Sequence, residues 1–221
     1  MTTPAVLSCP LCRLPSADAP VRAHGRRYRG CRGCGLVFMH PDDRPTPAEE
    51  RARYDTHEND PGDPRYRAFL SRLAAPLMER LSSGAVGLDY GSGPGPTLSL
   101  MLTEAGFPTE NFDPFFAPDT EVLERTYDFL TCSETAEHFF QPAREFQTFD
   151  RLLRPGGWLG VMTERPPRDV ALADWYYARD PTHVCFYRRR TMEWIATEHG
   201  WSPEFPHRNV VLFRKGRPGD R

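Results

Sequence analysis

The stretch at residues 85–106, AVGLDYGSGPGPTLSLMLTEAG, limits the possible folds of this chain more than any other segment. It begins as a short apolar strand, turns on alternate glycines, and continues as a helix with one apolar face that Gly106 ends. Glycines in such a turn let the backbone approach a ligand closely, and the start of a helix offers N–H groups without helical partners. The stretch therefore predicts a strand–turn–helix unit that binds a ligand at its turn.

Strands and helices alternate through the rest of the chain. Candidate helices lie at residues 66–81, 142–153 and 191–199, and candidate strands at residues 127–132, 152–163 and 208–213. This alternation is typical of an α/β fold with a doubly wound, Rossmann-like sheet. Because ligands of such sheets bind in the crevice beside the carboxyl ends of the strands, we expect the ligand site at that edge.

Two carboxylates near the glycine turn indicate which ligand it binds. A Walker loop is excluded because no Gly-Lys-Ser/Thr follows the turn, and the dinucleotide fingerprint fails because Pro96 stands where its third glycine belongs. Asp89, directly before the turn, would repel a pyrophosphate but tolerates an ammonium or a sulfonium group. Asp113, at the end of the next candidate strand, can accept the hydroxyl groups of a ribose. The pattern predicts S-adenosylmethionine (SAM) as the ligand.

Four of the six cysteines lie in two pairs before residue 35: Cys9, Cys12, Cys31 and Cys34. Each pair has the Cys-x-x-Cys spacing, and eighteen residues separate the pairs, which is the arrangement that places four thiolates around Zn²⁺. The N-terminal residues lack the basic start and apolar stretch of a secretory signal. We therefore expect metal binding rather than disulfides to explain the cluster. A segment this short has almost no core, so the sequence predicts a structural zinc site that stabilises its fold.

Composition and the positions of prolines and glycines predict the domain boundaries and the cellular compartment. We expect a zinc ribbon at residues 1–40, a linker or lid segment at 41–64, a SAM-binding domain at 65–215 and a disordered tail at 216–221. The formal net charge is −2, and no run approaches the roughly 18 apolar residues of a membrane helix. The sequence therefore predicts a cytoplasmic protein without a membrane partner, and it leaves the oligomeric state open.

A cluster of arginines in the expected ribbon leaves two interpretations open. They interleave with Tyr28 and stand at positions 22, 26, 27, 29 and 32. Such a patch can contact the phosphates of RNA. We favour the other interpretation, that it is the solvated face of a hairpin in a chain whose basic residues are almost all arginine.

At four stretches, in order and spacing, the chain resembles the class I SAM-dependent methyltransferases: LDYGSGPG, FDPFF, YDFLTCSETAEHF and LLRPGGWLGVMTE. The resemblance covers about residues 65–213, and the four-cysteine head followed by CGLVFMHP resembles the zinc-ribbon leader of certain bacterial members. It implies a seven-stranded sheet whose last strand, RNVVLF at 208–213, is antiparallel. The segment between Asp113 and Tyr127 departs from the family because it is short for a third strand and its helix.

The resemblance also implies a cofactor site at the ends of three strands. The residues expected along the methionine part of SAM are Asp89, Gly91, Gly93 and Gly95. Those expected around its ribose and adenine are Asp113, Pro114 and Phe115. Those expected beside the methyl donor are Cys132, Ser133 and Glu134. Glu137 and His138 match a Glu-His pair that is common in the family.

Candidate acid–base residues lie in two further stretches that resemble this subgroup. YDTHEND at 54–60 carries His57, and DWYYARDPTHVCFY at 174–187 carries His183 behind Asp180. A general base helps methyl transfer only where the acceptor must lose a proton, and a carboxylate can orient such a histidine. His183 can also serve only to fix its loop through a hydrogen bond.

These observations leave several hypotheses about function. The first is SAM-dependent methyl transfer to an unidentified acceptor, with a small metabolite or sugar intermediate preferred. RNA is the alternative acceptor because of the arginine cluster. A protein that binds SAM without catalysis, as an adaptor or sensor, is the alternative outside enzymology.

Overall fold

Two β-sheets form the framework of the protein, whose structure is a computed structural model describing residues 7–16, 19–56, 60–167, 169–217 and 219. The strands of the smaller sheet are β1 (Val21–Ala23), β2 (Arg26–Gly30), β3 (Val37–Met39) and β8 (Cys185–Phe186). The strands of the larger sheet are β4 (Gly87–Tyr90), β5 (Thr109–Phe112), β6 (Tyr127–Ser133), β7 (Leu153–Met162), β9 (Trp201–His207) and β10 (Val210–Lys215).

The larger sheet has the mixed α/β arrangement that the sequence predicts. Its order is β5-β4-β6-β7-β10-β9; β4 to β7 are parallel, and β10 is antiparallel to both of its neighbours. The resemblance implies seven strands, whereas the described residues form six in this sheet. The segment after β5 accounts for the difference, because its secondary structure before β6 is a short 3-10 helix at Thr120–Glu124.

Among the described residues, five α-helices accompany the sheets: α1 (Pro47–Tyr54), α2 (Pro64–Met78), α3 (Thr97–Glu104), α4 (Pro142–Leu152) and α5 (Arg189–His199). The predicted helices are found with small shifts at their ends. Phe146 and Phe149 show why α4 forms where it does, since both are fully buried on one face of the helix. None of the helices within the described ranges is long and apolar enough to span a membrane.

The N-terminal segment packs against the larger domain rather than standing apart from it. β3 pairs with β8, so the small sheet takes one strand from a region almost 150 residues later in the chain. The Arg26 guanidinium donates hydrogen bonds to the carbonyl oxygens of Ala178, Arg179 and Asp180 at 3.3, 2.9 and 2.8 Å. Buried residues of both parts form one continuous hydrophobic core. The position of the cysteine segment is therefore coupled to the loop before β8.

Candidate functional site

A cavity of about 570 Å³ lies at the carboxyl ends of β4, β5 and β6. The turns that follow these three strands form most of its wall, and Glu50 and Tyr54 of α1 complete it on one side. Parallel strands end at the same edge of the sheet, so topology alone brings these turns together. The volume lies within the range of small-molecule and cofactor sites, which is roughly 300–1,000 Å³.

The glycine turn after β4 has a backbone that other residues would not adopt easily. Gly91 has a φ of +81° and Gly93 a φ of +66°, both in the left-handed region. A Cβ atom at Gly91 would lie 2.2 Å from Cγ2 of Thr135, so a side chain there would also collide with the turn after β6. The glycines therefore keep the β4 and β6 turns close together at the cavity wall.

The Asp113 carboxylate joins two turns of the wall. One oxygen, Oδ2, accepts a hydrogen bond from the Gly93 N–H at 2.9 Å. The other, Oδ1, accepts from the N–H groups of Phe115 and Phe116 at 2.8 and 3.1 Å. A carboxylate offers about four lone-pair sites, so this arrangement leaves about one of them for a ligand hydroxyl.

Asp89 is a buried carboxylate at the end of β4, with 3% of its surface exposed. The Thr131 hydroxyl donates to its Oδ1 at 2.6 Å. Burial raises the pKa of Asp89 to about 6, although the Thr131 bond opposes the shift. A positively charged ligand group beside Asp89 would stabilise its ionised form and lower this pKa.

Three buried polar atoms in the wall have no hydrogen-bond partner within the described residues: Ser92 Oγ, Ser133 Oγ and Glu134 Oε1. Buried polar atoms are normally paired, because leaving one unpaired costs about 1–3 kcal/mol. Glu134 also has a φ of +49°, which is unusual for a residue with a side chain. Their positions fit a polar ligand of the SAM type, which brings hydroxyl, amino and carboxylate groups to such a wall.

Most of the predicted cofactor residues lie together in this wall. They are Asp89, Gly91, Gly93, Gly95, Asp113, Pro114, Phe115, Ser133 and Glu134. Tyr54 packs beside Phe115 with ring centroids 5.5 Å apart, so α1 forms part of the expected adenine side. Cys132 differs: its side chain is fully buried behind the wall, and burial raises the pKa of its thiol.

The predicted acid–base residues are arranged differently from the sequence interpretation. Asp180 does not orient His183 with its carboxylate, which accepts from the Thr182 N–H and hydroxyl at 2.9 and 2.6 Å and pairs with Arg53 at 2.8 Å. Burial opposes ionisation of Asp180, but these partners hold its pKa below the ordinary value. The Tyr177 carbonyl oxygen, 2.7 Å from Nδ1, orients His183 instead. His57 lies outside the described residues.

Sequence reasoning missed a buried network that adjoins the cavity. The Tyr177 hydroxyl lies within hydrogen-bond distance of both Glu134, at 3.0 Å, and the fully buried Glu137, and it can donate its one proton to either carboxylate. The His183 ring lies 4.8 Å from that of His138, which is part of the cavity wall. Desolvation raises the pKa of Glu137 and of Glu134, the latter to about 9. The Glu-His pair was visible in the sequence, but nothing local to it indicates Tyr177.

The four N-terminal cysteines converge as their spacing predicts. Their sulfur atoms all lie within 4.8 Å of one another, with Cys9 and Cys34 3.6 Å apart and Cys12 and Cys31 3.3 Å apart. Four thiolates around zinc, with Zn–S bonds of about 2.3 Å, would lie about 3.8 Å apart. The cluster is compatible with a zinc site.

Comparison with known proteins places this geometry in a family. Residues 61–204, more than half of the chain, match the family model described as "Methyltransferase domain". A stretch of 85 residues is 31% identical to the ubiquinone biosynthesis O-methyltransferase of Vibrio cholerae, covering 38% of this chain. The match spans 35% of the length of that relative.

Solved structures agree on the fold. Magnesium protoporphyrin IX methyltransferase from Synechocystis, with bound S-adenosylhomocysteine (SAH), superposes with a TM-score of 0.55 at 12% identity, covering 76% of this chain and 94% of that one. The 1,6-didemethyltoxoflavin-N1-methyltransferase of Burkholderia thailandensis, also with bound SAH, gives 0.53 at 15% identity, covering 90% and 100%. The chain therefore belongs to the family of methyltransferase domains, and its fold is that of the SAM-dependent methyltransferases.

Proposed function

We propose that this protein transfers a methyl group from SAM to a small metabolite or sugar intermediate. The observation that carries the proposal is the convergence of Asp89, the glycine turn and Asp113 on one cavity. Bound SAM would supply an electrophilic methyl group on a sulfonium. Asp113 and the turn would hold the nucleoside, and Asp89 with Glu134 would lie along the positively charged part.

Alignment is what the residues of this chain would contribute to the reaction. Methyl transfer is an in-line displacement. Holding the acceptor in the correct orientation, in a site without water, can lower the activation barrier by about 7–11 kcal/mol. Glu50 and Tyr54 close the cavity on the α1 side, and His138 is the histidine of its described wall. If the acceptor must lose a proton, His138 is better placed to receive it than the buried His183.

Two features favour a small acceptor over RNA. The cavity has a volume of about 570 Å³, and α1 forms one side of its wall. Of the arginines that suggest an RNA contact, Arg26 binds three backbone carbonyls and Arg27 pairs with Asp43 at 2.7 Å. Both side chains are therefore committed to contacts within the protein.

We also propose that the four cysteines hold a structural zinc ion. Four thiolates would close the coordination sphere, which suits a structural role and leaves no position for a substrate. The support is the spacing of the pairs and the proximity of the four sulfur atoms. Metal analysis of the purified protein tests this part.

The methyl-transfer proposal is tested with SAM labelled on its methyl group. The protein is incubated with cell extract, which is then separated into RNA, protein and small molecules. We expect label in the small-molecule fraction with wild-type protein and none with Asp113→Ala. Label in RNA would favour the alternative acceptor. Binding of SAH without any transfer would favour a sensor or adaptor, and failure to bind SAH would contradict the proposed site itself.

A further inference from the structure

Glu137, His138 and His183 form a compact group beside the cavity. One ligand atom from each lies within 4.8 Å of the others, although 44 residues separate the two histidines. Glu137 and His183 are buried, and His138 belongs to the cavity wall. The group thus joins the protein interior to the space where an acceptor would bind.

The loop that carries His183 holds both imidazole rings in one tautomer. His138 Nδ1 lies 3.0 Å from the carbonyl oxygen of Thr182, and His183 Nδ1 lies 2.7 Å from that of Tyr177. A carbonyl oxygen only accepts hydrogen bonds, so each Nδ1 carries the proton and the lone pair of a neutral ring is on Nε2. Histidines that bind metals are usually oriented in this way, through an N–H donated to a carbonyl or carboxylate.

The carboxylate of the group has an oxygen that the protein does not satisfy. Oε1 of Glu137 accepts from the Tyr177 hydroxyl, whereas Oε2 is buried and has no hydrogen-bond partner within the described residues. Glu134, bound to the same hydroxyl, also has a buried oxygen without a partner there. A cation would pair with these oxygens, and a carboxylate buried without one is costly.

We infer that Glu137, His138 and His183 bind a divalent first-row transition-metal ion. Two imidazoles and a carboxylate form a mixed nitrogen and oxygen set, which suits Zn²⁺, Mn²⁺, Fe²⁺ or Co²⁺ better than Ca²⁺. Tetrahedral ligands with bonds of about 2.1 Å lie about 3.4 Å apart, so a contraction of up to about 1.4 Å closes the group around the ion. Glu134 shares the Tyr177 hydroxyl with Glu137 and so lies next to the group.

The ion would deepen the proposed function, on which this step rests. His138 and Glu134 line the cavity, so coordination positions that the protein does not fill would face the acceptor. With His138 bound to the ion, the ion rather than the imidazole would promote loss of the acceptor's proton, because a divalent ion lowers the pKa of a bound hydroxyl group. The acceptor atom is then an oxygen, which the ion would hold beside the methyl donor in its ionised form after the hydroxyl proton passes to solvent. That oxygen would bond the methyl group as the methyl–sulfur bond of SAM breaks and SAH leaves.

Metal binding is tested on the full chain with its cysteine site already loaded with zinc. Mn²⁺ is the probe, because it competes poorly with zinc for thiolates and its solution EPR spectrum disappears on binding. Co²⁺, followed by equilibrium dialysis and metal analysis, is the second probe. We expect about one further equivalent of metal in wild-type protein, and none in Glu137→Gln or His183→Ala.

Two matched variants act as controls. Glu145→Gln removes a carboxylate of the cavity wall that binds the Tyr90 hydroxyl, and His24→Asn removes an exposed histidine; both should keep the further equivalent. Circular dichroism of every variant guards against loss of fold, and Glu137→Gln preserves side-chain shape. The inference is overturned if wild-type protein binds neither probe beyond the cysteine site, or if Glu137→Gln and His183→Ala bind as wild type does. Binding of metal without methyl transfer would overturn the proposed function alone.

Discussion

At the scale of single residues, Asp113 is the group whose chemistry the cofactor site depends on most directly. Its carboxylate accepts three backbone N–H groups from two turns. In Asp113→Asn an NH2 group replaces one carboxylate oxygen and faces a backbone N–H, so two donors meet. The negative charge of the side chain is also lost. Hydrogen bonds to charged groups are worth about 1.5–3 kcal/mol, so we expect SAH to bind about 10- to 100-fold more weakly in calorimetric titration.

The control for this variant is Asp119→Asn. Asp119 is exposed and accepts the Glu121 N–H at 2.9 Å, so it also binds backbone, but it is not part of the cavity wall. We expect its affinity for SAH to equal that of wild type. Equal affinity in Asp113→Asn and Asp119→Asn would show that the cofactor site has been placed wrongly.

Asp89 gives the site a pH dependence. Its pKa of about 6 in the folded state exceeds the ordinary value of 3.8, so folding takes up a proton between these values. The free energy of unfolding therefore loses up to about 3 kcal/mol from this group as pH rises from about 4 to 7. In Asp89→Asn we expect higher stability than wild type at pH 7 and little difference at pH 4.

Urea unfolding of the protein without ligand at both pH values checks this prediction. A stability difference that is the same at both pH values would mean that Asp89 is already ionised in the folded protein. Affinity for SAH provides a second readout. In wild type it should increase between pH 5 and pH 7 as Asp89 ionises, and in Asp89→Asn this increase should be absent.

At the scale of elements, the glycine turn after β4 combines backbone conformation with close packing. Gly91 and Gly84 both have positive φ, +81° and +75°, but a Cβ at Gly84 meets no atom within 4 Å. Gly84→Ala should therefore show only the conformational cost, about 1 kcal/mol. Gly91→Ala should be about 1 kcal/mol less stable than Gly84→Ala. The reason is that Thr135 must move, which breaks the hydrogen bond from its hydroxyl to the Gly91 carbonyl.

Denaturant unfolding of the two glycine variants and titration with SAH separate these effects. We expect Gly91→Ala to lose affinity and Gly84→Ala to retain it, since Gly84 lies away from the cavity wall. If both variants lost the same stability and kept the same affinity, the contact between the β4 and β6 turns would have no role.

Elements with a local signal could be predicted from the sequence, and those that depend on partners could not. The apolar spacing of α4 was sufficient to predict that helix, and the glycines after β4 were sufficient to predict that turn. The signal for α1 was present as well, since Thr46 and Glu49 form a capping box around Pro47, but the polar composition of 41–64 favoured a linker. β9 was missed because it contains two prolines, which only an edge strand tolerates.

The same distinction holds for the site. The cofactor residues follow strands directly, so their grouping could be predicted from topology. The arrangement of Glu137, Tyr177 and His183 could not, because it depends on the loop before β8 folding back over the turn after β6. The Asp180 carboxylate binds Thr182, two positions later in the sequence, rather than the ring of His183.

At the scale of the whole molecule, the cysteine segment and the methyltransferase domain form one structure. β3 pairs with β8, and Tyr28 packs against Phe186 with ring centroids 5.5 Å apart. Arg26 binds the carbonyl groups at 178–180, just ahead of His183. Order in the cysteine segment therefore supports the loop that orients both imidazoles of the inferred metal group.

This coupling predicts that loss of the cysteine site weakens the distant cofactor site. Cys9 is fully buried and lies 3.6 Å from Cys34, so Cys9→Ser should remove the proposed zinc ion and unfold the segment around it. Because β8 then loses its partner strand, we expect one cooperative thermal transition at a lower temperature, and weaker binding of SAH. A chelator alone would not separate the two proposed metals, so Glu137→Gln is the comparison: it should keep the zinc and the high transition temperature. Two separate transitions in Cys9→Ser, with the later one and the SAH affinity unchanged, would mean that the segments fold independently despite the shared sheet.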